Sequence, residues 1–198
     1  MIKEIVGYTT AITVLPKVDS GPNTNGHEYV DLGLPSGTLW ATMNVGATSP
    51  TEYGNYYMYG MGSKTYDSAD TPYDGIEDPL DLTKDTARQT WGGDWHMPTQ
   101  AQLEELTANT TYQWVTDYQG SGINGGTFTA QNGNVLFIPA AGYYYSYTLD
   151  YVGVYCYIWS STPNGSSNAY YLCFSNNERY VYRRNRYDGY SIRAVLDE

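Results

Sequence analysis

Apolar and polar residues alternate most regularly in the last third of the chain, in the run AYYLCFSNN. Its apolar positions are Leu172 and Phe174, and the alternate positions are Tyr171, Cys173 and Ser175. A period of two places successive side chains on opposite faces of a β-strand. The run therefore predicts a strand with an inward aliphatic face and an outward face of Tyr, Cys and Ser.

The next run, RYVYRR, predicts a partner strand with the same alternation. Val181 is its inward residue, whereas Tyr180, Tyr182 and Arg184 are its outward residues. On paired strands the outward residues share one face, so the sheet is expected to be apolar on one side and rich in Tyr, Arg and Ser on the other. Tyrosine also has a high β-propensity, so the alternative that these residues merely fill a half-buried sheet stays open.

Isolated apolar residues predict further core positions in the same third of the chain. Ile158 and Trp159 precede a predicted turn at SST, and Ile192 and Val195 lie near the end. Cys156 lies in a loop-like run before the tryptophan. We therefore expect the four apolar residues in the core and Cys156 in a loop.

Short strands and turns are predicted earlier in the chain. Residues 29–32 and 38–44 predict two strands joined by a Pro-Ser-Gly turn. Residues 112–116 predict a third strand, and residues 126–130 and 134–139 predict a hairpin across QNG. With 21 Gly and 9 Pro, the composition also favours many turns and short strands over long helices.

The strongest helix signal begins at Thr99. Thr99 and Gln102 have the spacing of a capping box, and two leucines supply an inward stripe. This helix is predicted to end near Asn109. The preceding residues 46–94 are polar and rich in Gly, Pro, Asp and Tyr, so we predict long loops with one short element there.

The chain is predicted to consist of a short lead and one compact domain. Residues 1–26 are interpreted as an N-terminal lead, either a linker or an assembly strand, with one possible strand at 12–18. The compact domain is predicted over residues 27–198. The N-terminus lacks a basic start and a clean apolar region, so no signal peptide is predicted. No apolar run reaches the roughly 18 residues that a membrane span needs.

The negative charge of the chain is concentrated in its first 142 residues. The formal net charge is −11 at pH 7; residues 1–142 carry five basic and sixteen acidic residues, whereas residues 143–198 carry five of each. Because phosphate binding needs a broad basic surface, this balance argues against nucleic acid as a general partner. The arginines around Arg183 and Arg184 predict a local anion or cation–π contact, or alternatively a solvated strand end.

Tyrosine is concentrated in the C-terminal region. Thirteen of the 23 tyrosines lie between Tyr143 and Tyr190, interleaved with Asn, Ser, Asp and Arg. Tyrosine offers a large, stiff, amphipathic contact area at low entropy cost, and Ser, Asn and Gly add adaptable hydrogen bonds. The cluster therefore predicts a binding surface for which the rest of the chain is the scaffold.

An ordered series of motifs runs through residues 27–196: EYVDLGLPSGTLWATMNVGATSPTEYGNYY, WHMPTQAQLEEL, FIPAAGYYY, IWSST, NAYYLCFS and GYSIRAV. On these motifs the chain resembles the Fibrobacter succinogenes major paralogous domain, which is common in Bacteroidetes surface proteins. The resemblance implies an α+β, C-type lectin-like fold similar to that of formylglycine-generating enzymes, with short antiparallel strands, one or two helices and long loops. It also implies that two antiparallel strands near the ends of the chain pair.

A subset of that family resembles the variable proteins of diversity-generating retroelements, in which adenine-directed mutagenesis rewrites Asn-type codons in the C-terminal part. Such changes yield Tyr, Cys, Asp, Ser and Arg among others, but never Lys, Gln, Met or Trp. From residue 133 onward the chain has no Lys, Gln or Met, and its one Trp, Trp159, lies in the constant IWSS motif. The resemblance thus implies a variable-type region over about residues 143–190.

The same resemblance implies a set of ligand-binding residues at the Asn-like positions of the family pattern. These residues are Tyr145, Tyr147, Asp150, Tyr151, Tyr155, Tyr157, Tyr171, Cys173, Ser175, Tyr180, Tyr182, Arg183, Arg184, Asn185, Tyr187 and Asp188. Framework identities are kept at Gly142, Leu149, Gly153, Trp159, Leu172, Phe174, Arg186, Gly189 and Arg193. Cys156 departs from the usual Gly, and Glu178 is not reachable from an Asn codon, which places it outside the variable set.

Enzymatic and metal sites have little support in the sequence. Formylglycine-generating enzymes use a close pair of reactive cysteines, and the spacing of Cys156 and Cys173 does not match; a chance thiol or a disulfide is favoured. The two histidines, His27 and His96, lie far apart and lack the pattern of a facial iron site. The acidic run at residues 74–81 favours a solvated loop over a Ca²⁺ site. No catalytic residue, metal or cofactor is predicted.

We expect a non-enzymatic recognition module that presents a Tyr-rich, diversified surface to a protein or glycan on a cell surface. One alternative is a structural domain of a bacterial surface lipoprotein or adhesin, in which Tyr fills the sheet. The other is a degenerate enzyme of the formylglycine-generating type. The expected location is the cell surface or a phage virion, and the oligomeric state is open between monomer and trimer.

Overall fold

The computed structural model describes residues 24–198, which contain two α-helices and eleven β-strands. The helices are α1 (Thr86–Trp91) and α2 (Gln100–Asn109). The strands are β1 (Tyr29–Asp31), β2 (Leu39–Ala41), β3 (Thr111–Val115), β4 (Gly125–Thr129), β5 (Val135–Pro139), β6 (Tyr143–Tyr145), β7 (Thr148–Asp150), β8 (Cys156–Asn164), β9 (Asn168–Phe174), β10 (Arg179–Asn185) and β11 (Val195–Leu196). The strand predicted at 12–18 lies outside the described residues.

The strands form four small antiparallel sheets. Their strand orders are β1–β2–β11, β10–β9–β8, β3–β4–β5 and β6–β7. Strand β2 pairs antiparallel with β11 at the other end of the chain, so that Trp40 lies opposite Val195. Small antiparallel sheets combined with two short helices place the chain in the α+β class, which confirms the coarse prediction.

Helix α2 begins and ends where its capping signals predicted. The Thr99 hydroxyl accepts a hydrogen bond from the Gln102 N–H, and the Gln102 side chain accepts one from the Thr99 N–H at 2.9 Å. Leu103 and Leu106 are buried beneath the helix. The segment 46–94 contains α1 as its one helix, in agreement with the predicted long loops and short element. Within residues 24–198, neither helix has the length and apolar character needed to cross a membrane.

The sheet β8–β9–β10 lies between two hydrophobic cores. Its Leu172 and Phe174 face packs against helix α2 and strands β4 and β5. Its other face, which carries Tyr171 and Cys173, packs against apolar residues of the segment 57–97. Both sides of this sheet are therefore covered in its central strand, whereas the sequence predicted a sheet with one free face.

The prediction that Tyr171, Cys173 and Ser175 face outward is wrong. They do lie opposite Leu172 and Phe174, as the alternation predicted, but they are only 5%, 0% and 4% exposed. The rings of Tyr157 in β8, Tyr180 in β10 and Tyr190 contact Tyr171 and help to cover it. A period-two pattern separates two faces of a strand, but it does not reveal whether distant segments cover the second face.

Strand β8 is longer than the sequence indicated. The predicted SST turn is instead part of β8, which continues to Asn164 with a register shift between Trp159 and Pro163. The Ser160 hydroxyl supports this irregularity because it donates a hydrogen bond to the Tyr170 carbonyl at 2.8 Å. Cys156, predicted in a loop, is the fully buried first residue of the strand.

Arg186 anchors the strands of this sheet to the loops around it. It is 1% exposed, and its guanidinium donates hydrogen bonds to four backbone carbonyls. The acceptors are Asn168 (2.9 Å), Tyr73 (2.7 Å), Gly75 (2.8 Å) and Gly165 (2.5 Å). The buried guanidinium of Arg186 thus links the start of β9 and the β8–β9 turn to the loop that contains Tyr73 and Gly75.

Candidate ligand-binding surface

Six of the predicted site tyrosines are exposed on neighbouring elements of the fold. They occupy the β6–β7 hairpin, the loop that follows it, strand β10 and the turn after β10. We call them the tyrosine face; its members are Tyr145, Tyr147, Tyr151, Tyr180, Tyr182 and Tyr187. Their exposed fractions run from 38% at Tyr180 to 84% at Tyr147, so these rings present large aromatic area to solvent.

A chain of ring contacts connects the two ends of the tyrosine face through the interior. Tyr151 stacks on Tyr143 with 6.1 Å between ring centroids, and Tyr143 lies 4.7 Å from Tyr157. Tyr157 lies 5.9 Å from Tyr171, which lies 6.4 Å from Tyr180. The inner rings therefore support Tyr151 and Tyr180, at the two ends of this chain of contacts, and restrict their movement.

The sixteen predicted site residues fall into three groups by exposure. The exposed group is Tyr145, Tyr147, Tyr151, Tyr180, Tyr182, Arg183, Arg184, Asn185 and Tyr187. The partly buried group is Asp150, Tyr155 and Tyr157, and the buried group is Tyr171, Cys173, Ser175 and Asp188. Because the buried four have almost no surface, they support the exposed residues from beneath and do not contact a ligand in this conformation.

The two exposed arginines of β10 have different partners, since Arg184 forms a salt bridge and Arg183 lies over a tyrosine ring. The Arg184 Nε donates a hydrogen bond to the Asp188 carboxylate at 2.9 Å, and the Tyr190 hydroxyl donates to the same oxygen at 3.2 Å. Burial raises the pKa of Asp188, while the bond from Arg184 lowers it. Arg183 instead lies over the Tyr182 ring, 5.5 Å from its centroid, and forms no salt bridge with any of residues 24–198. Arg183 is thus the cation that the face offers to a partner.

The two cysteines are free thiols in separate cores. Cys156 lies opposite Phe174 and packs with the α2 side of the sheet, whereas Cys173 lies opposite Tyr157 and packs with the other side. Burial raises the pKa of the Cys173 thiol to about 11 and also raises that of Cys156. Of the two alternatives left open by the sequence, a chance thiol or a disulfide, the disulfide is absent, and the two thiols lie on opposite faces of the sheet.

A cleft that the sequence did not predict lies beside the tyrosine face. It has a volume of about 620 Å³ and lies between the β6–β7 hairpin and the loop at residues 54–68. We call it the hairpin cleft; its lining includes four tyrosines, namely Tyr56, Tyr66, Tyr144 and Tyr147. The Tyr, Asn, Thr and Ser content of residues 54–68 was visible in the sequence. Its position against a hairpin far along the chain was not.

The acidic run and the histidines do not form a metal site. Among residues 24–198, no three His, Cys, Asp or Glu side chains come together in a way that holds a metal ion. The acidic side chains of residues 74–81 are exposed. His27 stacks on Trp91 at 3.8 Å, and His96 lies 3.2 Å from the Asp197 carboxylate. Both histidines therefore have packing roles.

No protein-family model, no curated protein and no solved structure matches this chain. Its function must therefore be inferred from its own residues. The two features that bear on function are the exposed tyrosine face above a buried aromatic layer and the hairpin cleft beside it.

Proposed function

We propose that this chain is a non-enzymatic recognition protein whose tyrosine face binds a protein or a glycan on a cell surface. The observation that carries the proposal is the exposure of six tyrosines on neighbouring elements, two of which, Tyr151 and Tyr180, lie against half-buried or buried rings. Clustered exposed aromatic area marks interaction sites on soluble proteins. Tyrosine supplies both the apolar contact and a hydroxyl for hydrogen bonding, which is why binding surfaces are enriched in it.

We further propose that the scaffold is a C-type lectin-like fold. The antiparallel pairing of β2 with β11 supports this proposal, because the family resemblance implies paired strands near the two ends of the chain. The two helices beside the sheets and the long loops of residues 46–94 agree with it as well.

The C-terminal region is proposed to be the variable region of a diversity-generating retroelement. In support, the exposed residues of the tyrosine face and of β10 belong to the set that Asn-type codons reach, whereas most framework residues are buried. Leu149 is an exception, since this framework residue is 38% exposed. A protein of this kind acts outside the cell, as a surface lipoprotein or a phage virion component such as a tail fibre, and is a monomer or a trimer.

The binding proposal is tested with Tyr182→Ala and Tyr151→Ala, two variants of exposed tyrosines. The wild-type chain is screened against a glycan array and against intact bacterial cells, and both variants are expected to lose the binding that the wild type shows. Their melting temperatures are expected to change by less than about 2 °C, since exposed side chains contribute little to stability. Ile76→Ala is the matched control, because Ile76 is a large exposed residue outside the face at 68% exposure.

Retained binding in both tyrosine variants, or a large drop in melting temperature without loss of binding, would instead favour the structural domain.

The variable-region proposal has a separate test in the source genome. We expect a second copy of the 3′ coding segment beside a reverse transcriptase gene, differing from this one only at adenines. A source genome without such a copy contradicts that part of the proposal.

A further inference from the structure

The walls of the hairpin cleft are held in place before any ligand arrives. The Tyr144 ring stacks on Tyr66 at 5.0 Å and meets the Tyr56 ring edge-on at 5.1 Å. The Tyr66 hydroxyl donates a hydrogen bond to the Ser146 carbonyl at 2.6 Å, and the Tyr56 hydroxyl donates one to the Ala141 carbonyl at 2.5 Å. Fixed rings lose little conformational entropy on binding, which favours even a small ligand.

Neutral hydrogen-bonding groups line the same cleft. Thr65, Ser68 and Ser146 line the cleft, and their hydroxyls have no hydrogen-bond partner among residues 24–198. One oxygen of the Asp67 carboxylate accepts a hydrogen bond from the backbone of its own loop at 2.9 Å, which leaves the second oxygen available. The cleft thus combines aromatic surface with several donors and acceptors that a ligand rich in hydroxyl groups satisfies.

The electrostatics of the cleft disfavour an anionic ligand. The one cation in its lining, Lys64, is ion-paired with Asp70, and Asp67 adds a negative charge. Burial, followed by the Asp188 and Asp67 carboxylates, raises the pKa of the Tyr66 hydroxyl. A phosphate, a sulfate or an acidic sugar would meet this negative potential without a free cation to bind it.

The ring arrangement disfavours an organic cation as well. A quaternary ammonium is bound when several aromatic faces surround one point. Here Tyr66 and Tyr144 stack on each other and Tyr56 meets Tyr144 edge-on, so the three rings do not surround one common point. Tyr147, which is 84% exposed, is the ring whose face is open at the mouth of the cleft.

We propose that the hairpin cleft is a binding site for a neutral sugar. The pyranose ring lies against Tyr147, and its hydroxyls bond to Asp67 and to the serine and threonine hydroxyls of the lining. The volume of about 620 Å³ is within the range of small-ligand sites. This site is additional to the tyrosine face, shares only Tyr147 with it, and does not rest on the proposed function.

The proposal is tested by titrating the ¹⁵N-labelled chain with methyl glycosides of glucose, galactose, mannose and N-acetylglucosamine, up to about 50 mM because single sugars bind weakly. At least one of them is expected to shift the amides of residues 54–68 and 144–147 in a saturable way. Inorganic phosphate, N-acetylneuraminic acid and choline are the comparison ligands. No saturable shift with any neutral glycoside, or saturation only with a comparison ligand, overturns the proposal.

Two variants locate the site. Tyr147→Ala and Asp67→Asn are each expected to weaken glycoside binding about tenfold, through loss of ring contact and of an acceptor respectively. Ile76→Ala is the control, because Ile76 is an exposed residue outside both the cleft and the tyrosine face, and its glycoside affinity is expected to stay unchanged. If Tyr182→Ala weakens glycoside binding and Tyr147→Ala does not, the assignment to the cleft is wrong.

The same variants separate this proposal from the proposed function. If Tyr182→Ala and Tyr151→Ala abolish cell or glycan-array binding while no neutral glycoside binds, the sugar site in the cleft is contradicted and binding by the tyrosine face is supported. If a glycoside binds and those two variants leave cell binding intact, binding by the tyrosine face is contradicted and the sugar site in the cleft is supported.

Discussion

Cys156 and Cys173 lie on neighbouring strands, yet their side chains lie on opposite faces of the β8–β9–β10 sheet. Cys156 is opposite Phe174, and Cys173 is opposite Tyr157, one position away in the register. Because successive side chains of a strand alternate between faces, the sheet itself separates the two sulfur atoms. The chain thus uses both cysteines as small apolar residues in two different cores.

We predict that neither thiol reacts in the folded protein. The thiolate is the reactive form, and burial raises the pKa of Cys173 to about 11 and raises that of Cys156 as well. A chromogenic disulfide reagent at about pH 8, close to the ordinary thiol pKa, should label no cysteine before unfolding and both after it. A Ser166→Cys variant, whose added thiol is exposed, is the positive control and should react at once. Prompt labelling of the wild type contradicts the burial described here.

Tyr171 and Tyr182 are cross-strand partners, but we predict that replacing Tyr171 by alanine destabilises the fold much more than replacing Tyr182. Tyr171 is 5% exposed and packed in the core, so Tyr171→Ala should lower the free energy of unfolding by about 3–5 kcal/mol. Tyr182 is 55% exposed, so Tyr182→Ala should cost less than about 1 kcal/mol. Urea unfolding monitored by circular dichroism measures both. Equal losses for the two variants would contradict the difference in burial.

Arg186→Lys is predicted to destabilise the fold despite keeping the charge. A lysine ammonium does not reproduce the planar guanidinium that reaches four carbonyls, so some of these buried carbonyls lose their partners. We expect a loss of about 2–4 kcal/mol in urea unfolding. Arg183→Lys is the matched control, since Arg183 is exposed, and its cost should be within about 0.5 kcal/mol. A similar cost for both would show that the four hydrogen bonds are not what anchors the loops.

Stability is predicted to fall steeply in alkali. Burial raises the pKa of Tyr59, Tyr157 and Tyr190, so above about pH 10, the ordinary tyrosine value, the unfolded chain loses protons that the folded chain keeps. The folded state then binds more protons than the unfolded state, and the free energy of unfolding decreases as the pH rises. Burial lowers the pKa of Arg193 to about 9. Above that pH the folded chain loses a proton that the unfolded chain keeps, so this single group increases the free energy of unfolding as the pH rises.

The measurement is urea unfolding at about pH 8 and about pH 11, on either side of the ordinary tyrosine pKa. Phenolate absorbance should rise together with the loss of circular dichroism. Tyr157→Phe removes one hydroxyl whose pKa is raised by burial, so this variant should lose less stability between the two pH values than the wild type does. An unchanged free energy of unfolding between the two pH values contradicts the prediction.

The elements that the sequence predicted well are those whose signals are local. Thr99 and Gln102 form the predicted capping box because both partners lie within one helical turn. The hairpin of β4 and β5 forms across its predicted turn for the same reason. Strand β8 was not predicted: the sequence indicated core residues at Ile158 and Trp159 followed by a turn at SST. The irregularity after Trp159 allows Ser and Thr to continue a strand where they usually mark a turn.

The candidate site was predictable in part. The alternation correctly predicted that Tyr180 and Tyr182 are exposed. The same alternation failed for Tyr171 and Cys173, because aromatic rings that the fold brings against Tyr171 from β8, β10 and Tyr190 are not visible in the pattern of one strand. The hairpin cleft depends on the approach of residues 54–68 to a hairpin about eighty positions later, which no local pattern encodes.

The burial of each strand of the β10–β9–β8 sheet also sets how freely its residues can be exchanged. Replacements at the exposed positions of β10 change what the molecule presents to a partner and leave the interior intact, whereas replacements at Tyr171 or Cys173 must first be accommodated by the core. Tolerance to substitution therefore decreases from the exposed strand β10 to the buried strands β9 and β8. A display library built on this chain should randomise β10 and the β6–β7 hairpin and hold β9 constant.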